Sequence, residues 1–380
     1  TNSVAFGENL MLKDRAQKAL ALKFCISKRW LPQLEVNIES SKRLEKQNLL
    51  LTDLDVLAVA LSPVGEQVKF IFDCKSGNRE SPIGRVFWLK GVMEKTHSSH
   101  GFILMNSKMN IGKDHRLTAA DLNISLLKEN EFESLSIGTG GSTSINTEYS
   151  VAADITAWEK LSELIKKYPN MSEYLSFSNS SFWMINEPGE QCRKVVAKLR
   201  RIRSELDPSK NEHLCIFGDA LSLFLMTISN IANKLLLVLI SPTEKDDFSS
   251  LVLAYLYGGY ENLNAAIKIR SLATGQNEGD ALSIFPETNK FEHLTREIMQ
   301  APQQAMAAAL LARELSLCML TNSEQTKLQL DIANENPYAT KFILLASEYL
   351  QQAIKLPPEF FDIYSKISFG ITTENSKRKK

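Results

Sequence analysis

Two regimes of polarity divide the chain. Up to about residue 137 the apolar residues come in short, strand-length runs, and beyond about residue 150 they recur every three or four positions. In the first regime, Thr52-Asp53-Leu54-Asp55-Val56-Leu57-Ala58-Val59 and Val68-Lys69-Phe70-Ile71-Phe72-Asp73-Cys74-Lys75 flank Ser62-Pro63-Val64-Gly65-Glu66, with Pro and Gly at turn-forming positions. Residues 53–61 and 68–75 are therefore predicted to form an antiparallel hairpin. Residues 33–38 predict a strand before it, and residues 13–20 a first helix.

Both runs carry acid where a buried strand should carry none, and burying an ionised group is costly unless it is paired or binds a cation. With the turn centred on Val64, Asp55 lies opposite Asp73, and cross-strand neighbours on one face have Cβ atoms about 4.5–5.5 Å apart. Side chains alternate along a strand, so Lys75 shares the face of Asp73 while Cys74 points away. Two carboxylates and an ammonium converge on one spot. Carboxylate oxygens suit Mg²⁺, with Mn²⁺ as a substitute, and such an ion accepts phosphate oxygens as further ligands. Asp55 and Asp73 are thus candidate metal ligands, and Lys75 a candidate to orient a water or offset charge on a phosphate. The plainer alternative is a solvated ion pair at a strand end. Asp53 is the competing acid, expected to face Lys75 and to play a supporting part.

The order strand, Asp-Val-Leu, turn, apolar strand ending Asp-Cys-Lys, then helix resembles the PD-(D/E)XK nuclease superfamily, and is most similar to its Mrr-like restriction endonuclease branch. Gly84-Arg85-Val86-Phe87-Trp88-Leu89-Lys90-Gly91-Val92 resembles the helix that follows the Asp-x-Lys strand. His100-Gly101-Phe102-Ile103-Leu104-Met105 resembles the next strand, and Leu117-Thr118-Ala119-Ala120-Asp121 leading to Ile124-Ser125-Leu126-Leu127 continues the pattern. The resemblance covers roughly residues 8–137 and implies that Asp55 and Asp73 bind the metal and Lys75 is the catalytic lysine. The Glu that many members carry on the first helix has no clear counterpart; Asp14 lies nearby, and Glu35 stands on the first strand. The glutamine that some members place on the following helix is absent. Ser76 joins Asp53, Asp14 and Glu35 as a candidate supporting residue.

Composition narrows the picture. With 44 basic and 44 acidic residues the net charge is zero, so affinity for nucleic acid must come from local patches. Five scattered cysteines without zinc-ligand spacing point to a reducing cytoplasm. No apolar leader stands at the N-terminus. Residues 214–240 are the one membrane-like stretch, but Asp219, Asn230, Asn233 and Lys234 break it, so a buried helix, with a strand after it as an option, and no membrane contact are expected.

The segment Leu135-Ser136-Ile137-Gly138-Thr139-Gly140-Gly141-Ser142-Thr143-Ser144 reads as a flexible linker or exposed loop. The predicted organisation is a nuclease-like domain over 1–137, a linker over 138–147, a mostly helical domain over 148–372, and a disordered basic tail over 373–380. In the helical part, residues 192–203 form the densest basic run. Val195, Val196, Leu199 and Ile202 make its packed stripe, leaving Arg193, Lys194, Lys198, Arg200 and Arg201 as candidate DNA contacts. A solvated helix face is the competing reading. Trp30, Trp88, Trp158 and Trp183 read as core residues. The glycine pairs lack the context of a phosphate-binding loop, so no nucleotide site follows from them.

The expected fold is an α/β restriction-endonuclease-like core, a mixed sheet flanked by helices, joined to a mostly α-helical C-terminal domain. The expected function is Mg²⁺-dependent endonucleolytic cleavage of DNA, which the resemblance places in prokaryotic restriction or anti-phage defence. Self-association or a defence-system partner subunit is expected with it. The alternatives are a non-catalytic nucleic-acid- or protein-binding subunit that keeps the fold, and a ribonuclease.

Overall fold

A computed structural model of the chain describes residues 12–40, 49–77, 79–239, 245–275 and 284–378. Helix α1 (Arg15–Ser27) leads into β1 (Leu31–Glu39), and β2 (Leu50–Leu61) and β3 (Gln67–Lys75) complete an antiparallel triplet. The turn between β2 and β3 forms as Pro63 and Gly65 predict, with Gly65 at φ 83°, a left-handed conformation that glycine adopts without strain. Helix α2 (Pro82–Thr96) then crosses over to β4 (His100–Met105), parallel to β3. Helix α3 (Lys113–Asp121) leads to β5 (Ile124–Lys128), parallel to β4, and α4 (Glu129–Gly138) follows. The result is one five-stranded mixed sheet in the order β1-β2-β3-β4-β5.

Helices cover the sheet because its inner positions are apolar. Phe24 of α1 meets Phe72, Phe102 and Phe132 edge-on, at centroid distances of 6.3, 5.8 and 5.2 Å. At Gly101 the backbone of β4 comes so close to Leu89 and Met93 of α2 that an added Cβ would lie 2.8 Å from the Leu89 Cδ2.

Beyond the sheet the chain is helical: α5 (Ile155–Lys167), α6 (Ser172–Asn179), α7 (Pro188–Arg201), α8 (Asn211–Val238), α9 (Lys245–Tyr257), α10 (Tyr260–Thr274), α11 (Thr288–Ile298), α12 (Pro302–Thr321), α13 (Lys327–Glu335), α14 (Ala339–Ile354) and α15 (Glu359–Arg378). Helix α8 is the membrane-like stretch. By length and composition it could cross a bilayer, yet 94% of its apolar window is buried inside the protein. It packs lengthwise on α12, and its polar groups are answered there: Ser222 donates to the Ala309 carbonyl (2.7 Å), Ser229 to the Pro302 carbonyl (2.7 Å), and Asp219 pairs with Arg313. Internal partners of this kind let hydroxyls and a charge sit in an apolar helix.

Two features differ from expectation. The stretch read as a flexible linker or exposed loop is a partly exposed loop over 139–144, as the second alternative has it, but it is tied down: residues 135–138 finish α4, the Ser142 N–H donates to Ser27 Oγ (2.9 Å), and Lys28 bonds the Thr139 carbonyl. Just beyond, buried Glu314 accepts from Ser150 Oγ (2.8 Å) and from the N–H groups of Val151 (2.7 Å) and Ala152 (2.9 Å). Small residues here allow close packing against α1, which composition alone does not distinguish from looseness. The basic tail is helical as far as Arg378, as the end of α15, and residues 379–380 lie outside the described residues.

The sheet and the helical part are joined by specific bonds. Arg15 grips Glu159 (2.8 and 3.0 Å), Arg29 reaches Tyr149 (2.7 Å) and Glu335 (2.8 Å), and Gln67 of β3 donates to the Met226 carbonyl (2.7 Å). Lys69, also on β3, donates to the Trp183 carbonyl (3.0 Å), and burial pushes its pKa down to about 8. In the unfolded chain a lysine titrates near ~10.4, so folding favours the neutral amine. That contribution to stability is complete above about pH 10.4 and is lost as the pH falls through about 8. Relative to Lys69→Met, the native protein is therefore expected to gain on the order of 2 kcal/mol between about pH 7 and about pH 10. Urea unfolding of both proteins at the two pH values checks this, and a pH-independent difference would contradict it.

Candidate active site

Strand pairing assembles the site. β2 and β3 pair from Leu61 with Gln67 to Val56 with Phe72, and one further rung in that register sets Asp55 opposite Asp73, as the turn position predicts. Both acids are buried, 5% and 1% exposed. The Lys75 ammonium lies 3.2 Å from Asp73 Oδ1 and 3.7 Å from Asp55 Oδ2, so the carboxylates flank a single cationic centre. The Cys74 N–H donates to Asp55 Oδ2 (2.6 Å), fixing that carboxylate against the next strand.

Two further cations, not singled out in the sequence, complete the cluster. Lys18 of α1 lies 3.0 Å from Asp55 Oδ1 and also pairs with Glu35. Arg85 of α2 clasps Asp73 with Nε (2.8 Å) and Nη2, its guanidinium lying 3.8 Å from the Trp88 ring centroid. Both had a signal, a cation on an apolar helical stripe: Lys18 with Ala21, Leu22 and Cys25, and Arg85 with Leu89 and Val92. Helix α1 is held in place beside them, as Gln17 donates to Glu129 (2.7 Å), which also accepts from Ser107.

Each supporting candidate has a definite place. The register on either side of Glu35, Leu34 with Val56 and Val36 with Leu54, sets it beside Asp55, and its own backbone is left-handed, at φ 54°. Asp14, buried ahead of α1, accepts from the Ser76 N–H (2.6 Å) and hydroxyl, anchoring the chain directly after Lys75. Asp53 is the correction. It is exposed, lies opposite Asn37 of β1, and makes no ion pair with Lys75, whose ammonium turns inward to the two buried acids.

The electrostatics follow from this packing. Burial pushes the Asp55 and Glu35 carboxyls upward, against the pull of Lys18 on both and of Lys75 on Asp55. Burial alone would lower Lys75, but Asp73 and Asp55 outweigh it and raise its pKa, so the side chain is an ammonium.

The candidate DNA contacts are dispersed around α7. Its packed stripe of Val195, Val196, Leu199 and Ile202 is buried as expected. Lys194 pairs with Glu190, and Lys198 and Arg201 pair with Glu173. Arg193 sits over the Tyr257 ring at 4.5 Å, and Arg200 is exposed. All four tryptophans pack as structural residues: Trp158 and Trp183 are buried, Trp30 stacks on Phe70 (3.9 Å), and Trp88 underlies Arg85.

No protein-family model matches the chain, and no curated protein or solved structure matches it. Among the described residues no three acids, histidines or cysteines are grouped as a ready-made metal cage. Mg²⁺ does not need one, since it binds through one or two carboxylates and completes its shell with water and substrate phosphate. Asp55 and Asp73 therefore suit such an ion in type and number. Its competitors are Lys75 and above all Arg85, which engages both oxygens of Asp73.

Proposed function

We propose that this protein is a Mg²⁺-dependent endonuclease acting on DNA, with a PD-(D/E)XK, restriction-endonuclease-like unit at its N-terminal end. The observation that carries the proposal is the convergence of Asp55, Asp73 and Lys75 across one hairpin. The order α1-β1-β2-β3-α2-β4, with an antiparallel triplet and a parallel crossover, agrees with the layout the resemblance implies. A divalent ion held by Asp55 and Asp73 would supply Lewis acidity at a scissile phosphate and acidify an attacking water. The chain's own groups do the rest. Lys75 donates to the water and offsets negative charge gathering on the phosphate oxygens. Lys18 and the Cys74 N–H hold Asp55 in place, and the bonds between Asp14 and Ser76 fix the backbone that follows Lys75.

One such site cuts one strand at a time, so self-association or a partner subunit is part of the proposal, with the helical part as its docking body. A cytoplasmic setting in prokaryotic restriction or anti-phage defence completes it, and the five unpaired, buried cysteines suit a reducing compartment.

Arg85 sets a condition on this reading. Because it competes for Asp73, Arg85→Gln is expected to tighten Mn²⁺ binding by roughly tenfold. Calorimetric titration of both proteins measures this; unchanged affinity would mean that Asp73 is not a ligand. The Arg85 clasp also favours a second reading, a non-catalytic subunit in which three cations permanently neutralise Glu35, Asp55 and Asp73. Supercoiled plasmid, linear DNA and RNA incubated with Mg²⁺, Mn²⁺ or EDTA separate the possibilities. Metal-dependent nicking of plasmid supports the proposal, cleavage of RNA alone makes the protein a ribonuclease, and no cleavage of any substrate favours the non-catalytic subunit.

A further inference from the structure

The basic face of α7 does more than meet solvent. Between α7, the end of α9 and residues 284–286 lies a cleft of about 670 Å³, within the size range of small-molecule sites. Arg193, Arg200, Arg201 and Arg203 reach into it, and among the described residues no carboxylate lines it. Arg201 is neutralised by Glu173. Arg200 and Arg203 make no side-chain hydrogen bond or ion pair among the described residues, and the buried Nε of Arg193 has no partner. Buried guanidinium nitrogen without an acceptor is rare, and the group that answers it best is a carboxylate or phosphate bound through paired N–H donors.

The arrangement narrows the choice. Arg193 and Arg200 lie two helical turns apart on one face, about 10 Å along the axis, with Ala197 leaving room between them. Cations so spaced address a chain of anionic groups better than a single one. Tyr257 and Phe285 supply an apolar wall beside these arginines, and an Arg–aromatic surface accepts a flat ring. We infer that this cleft binds a nucleotide di- or triphosphate, its phosphates on Arg193, Arg200 and Arg203 and its ring against the Tyr257 wall. No glycine-rich loop announces such a site, and it stands independently of the proposed nuclease centre.

Calorimetric titration of the full chain in EDTA, which removes metal-dependent binding elsewhere, tests the inference with ATP, GTP, pyrophosphate, adenosine and a 5′-hydroxyl oligonucleotide. ATP or GTP is expected to bind, adenosine is not, and Arg200→Glu/Arg203→Glu is expected to weaken binding by roughly tenfold or more. Both residues are exposed, so the double variant should melt with the native protein. Nucleotide binding that survives the double substitution, or no nucleotide binding at all, would overturn the inference. So would pyrophosphate binding as tightly as ATP, which makes this a plain anion site, or binding of the oligonucleotide alone.

Discussion

Replacing Lys75 with alanine is expected to slow metal-dependent plasmid nicking by about 10²–10³-fold, the usual scale for losing one group that stabilises charge on the reacting centre. The fold should survive. Asp73 keeps both bonds from Arg85, and Asp55 keeps Lys18 and the Cys74 N–H, so neither buried acid is stranded. That separates Lys75→Ala from substitution of Asp73, which would leave the Arg85 guanidinium without its carboxylate, and of Asp55, which would leave Lys18 with Glu35 alone. Nicking rates measured beside thermal melts make the comparison, with Lys75→Arg restoring charge but not the shape of an ammonium. Nicking that persists at the native rate in Lys75→Ala would place the chemistry elsewhere.

The largest effect on stability is expected at Arg313, on α12. It is fully buried, pairs with Asp219 of α8, and lies 5.4 Å from the Trp158 ring centroid. Arg313→Met leaves the Asp219 carboxylate buried at 2% exposure with only a long contact from Tyr174 (3.5 Å). Removing one partner of a buried pair costs about 3–5 kcal/mol, because the remaining charge is uncompensated. The Arg313 Nε and Nη2 atoms have no hydrogen-bond partner, so the pair is not an optimised one. The double replacement Arg313→Met/Asp219→Leu should therefore recover most of the loss. Urea unfolding of the single and double variants checks this. A double variant no more stable than Arg313→Met would show that packing volume, not charge, sets the cost.

Much of the geometry of the candidate site was readable because it is local. Pro63 and Gly65 fix the turn, the turn fixes the register, and the two-residue period of a strand brings Asp55, Asp73 and Lys75 to one face. The helices beyond residue 150 followed from their repeat, and α8 from the polar residues that interrupt it. What depended on distant partners was not readable. Lys18 and Arg85 stood in view on apolar stripes, but only the packing of α1 and α2 shows which acids they meet. Glu35 has a left-handed backbone in mid-strand, a conformation glutamate does not favour and no local pattern announces. Asp53 misled because strand register alone could not tell that Lys75 would turn to the inner acids. Of the two readings of the Gly/Ser stretch the exposed loop holds, but its tethering was not legible because glycine and serine serve close packing as well as freedom.

The strand that carries Asp73 and Lys75 is held at its opposite end by Gln67 and Lys69, which hang on the Met226 and Trp183 carbonyls. Parting the two regions would break both of those bonds and expose the Lys69 amine to water. The sheet is accordingly not a detachable head on a separate body. A shift of α8, or of the turn at Trp183, would be transmitted along a single extended rod of nine residues to Asp73 and Lys75 at its tip.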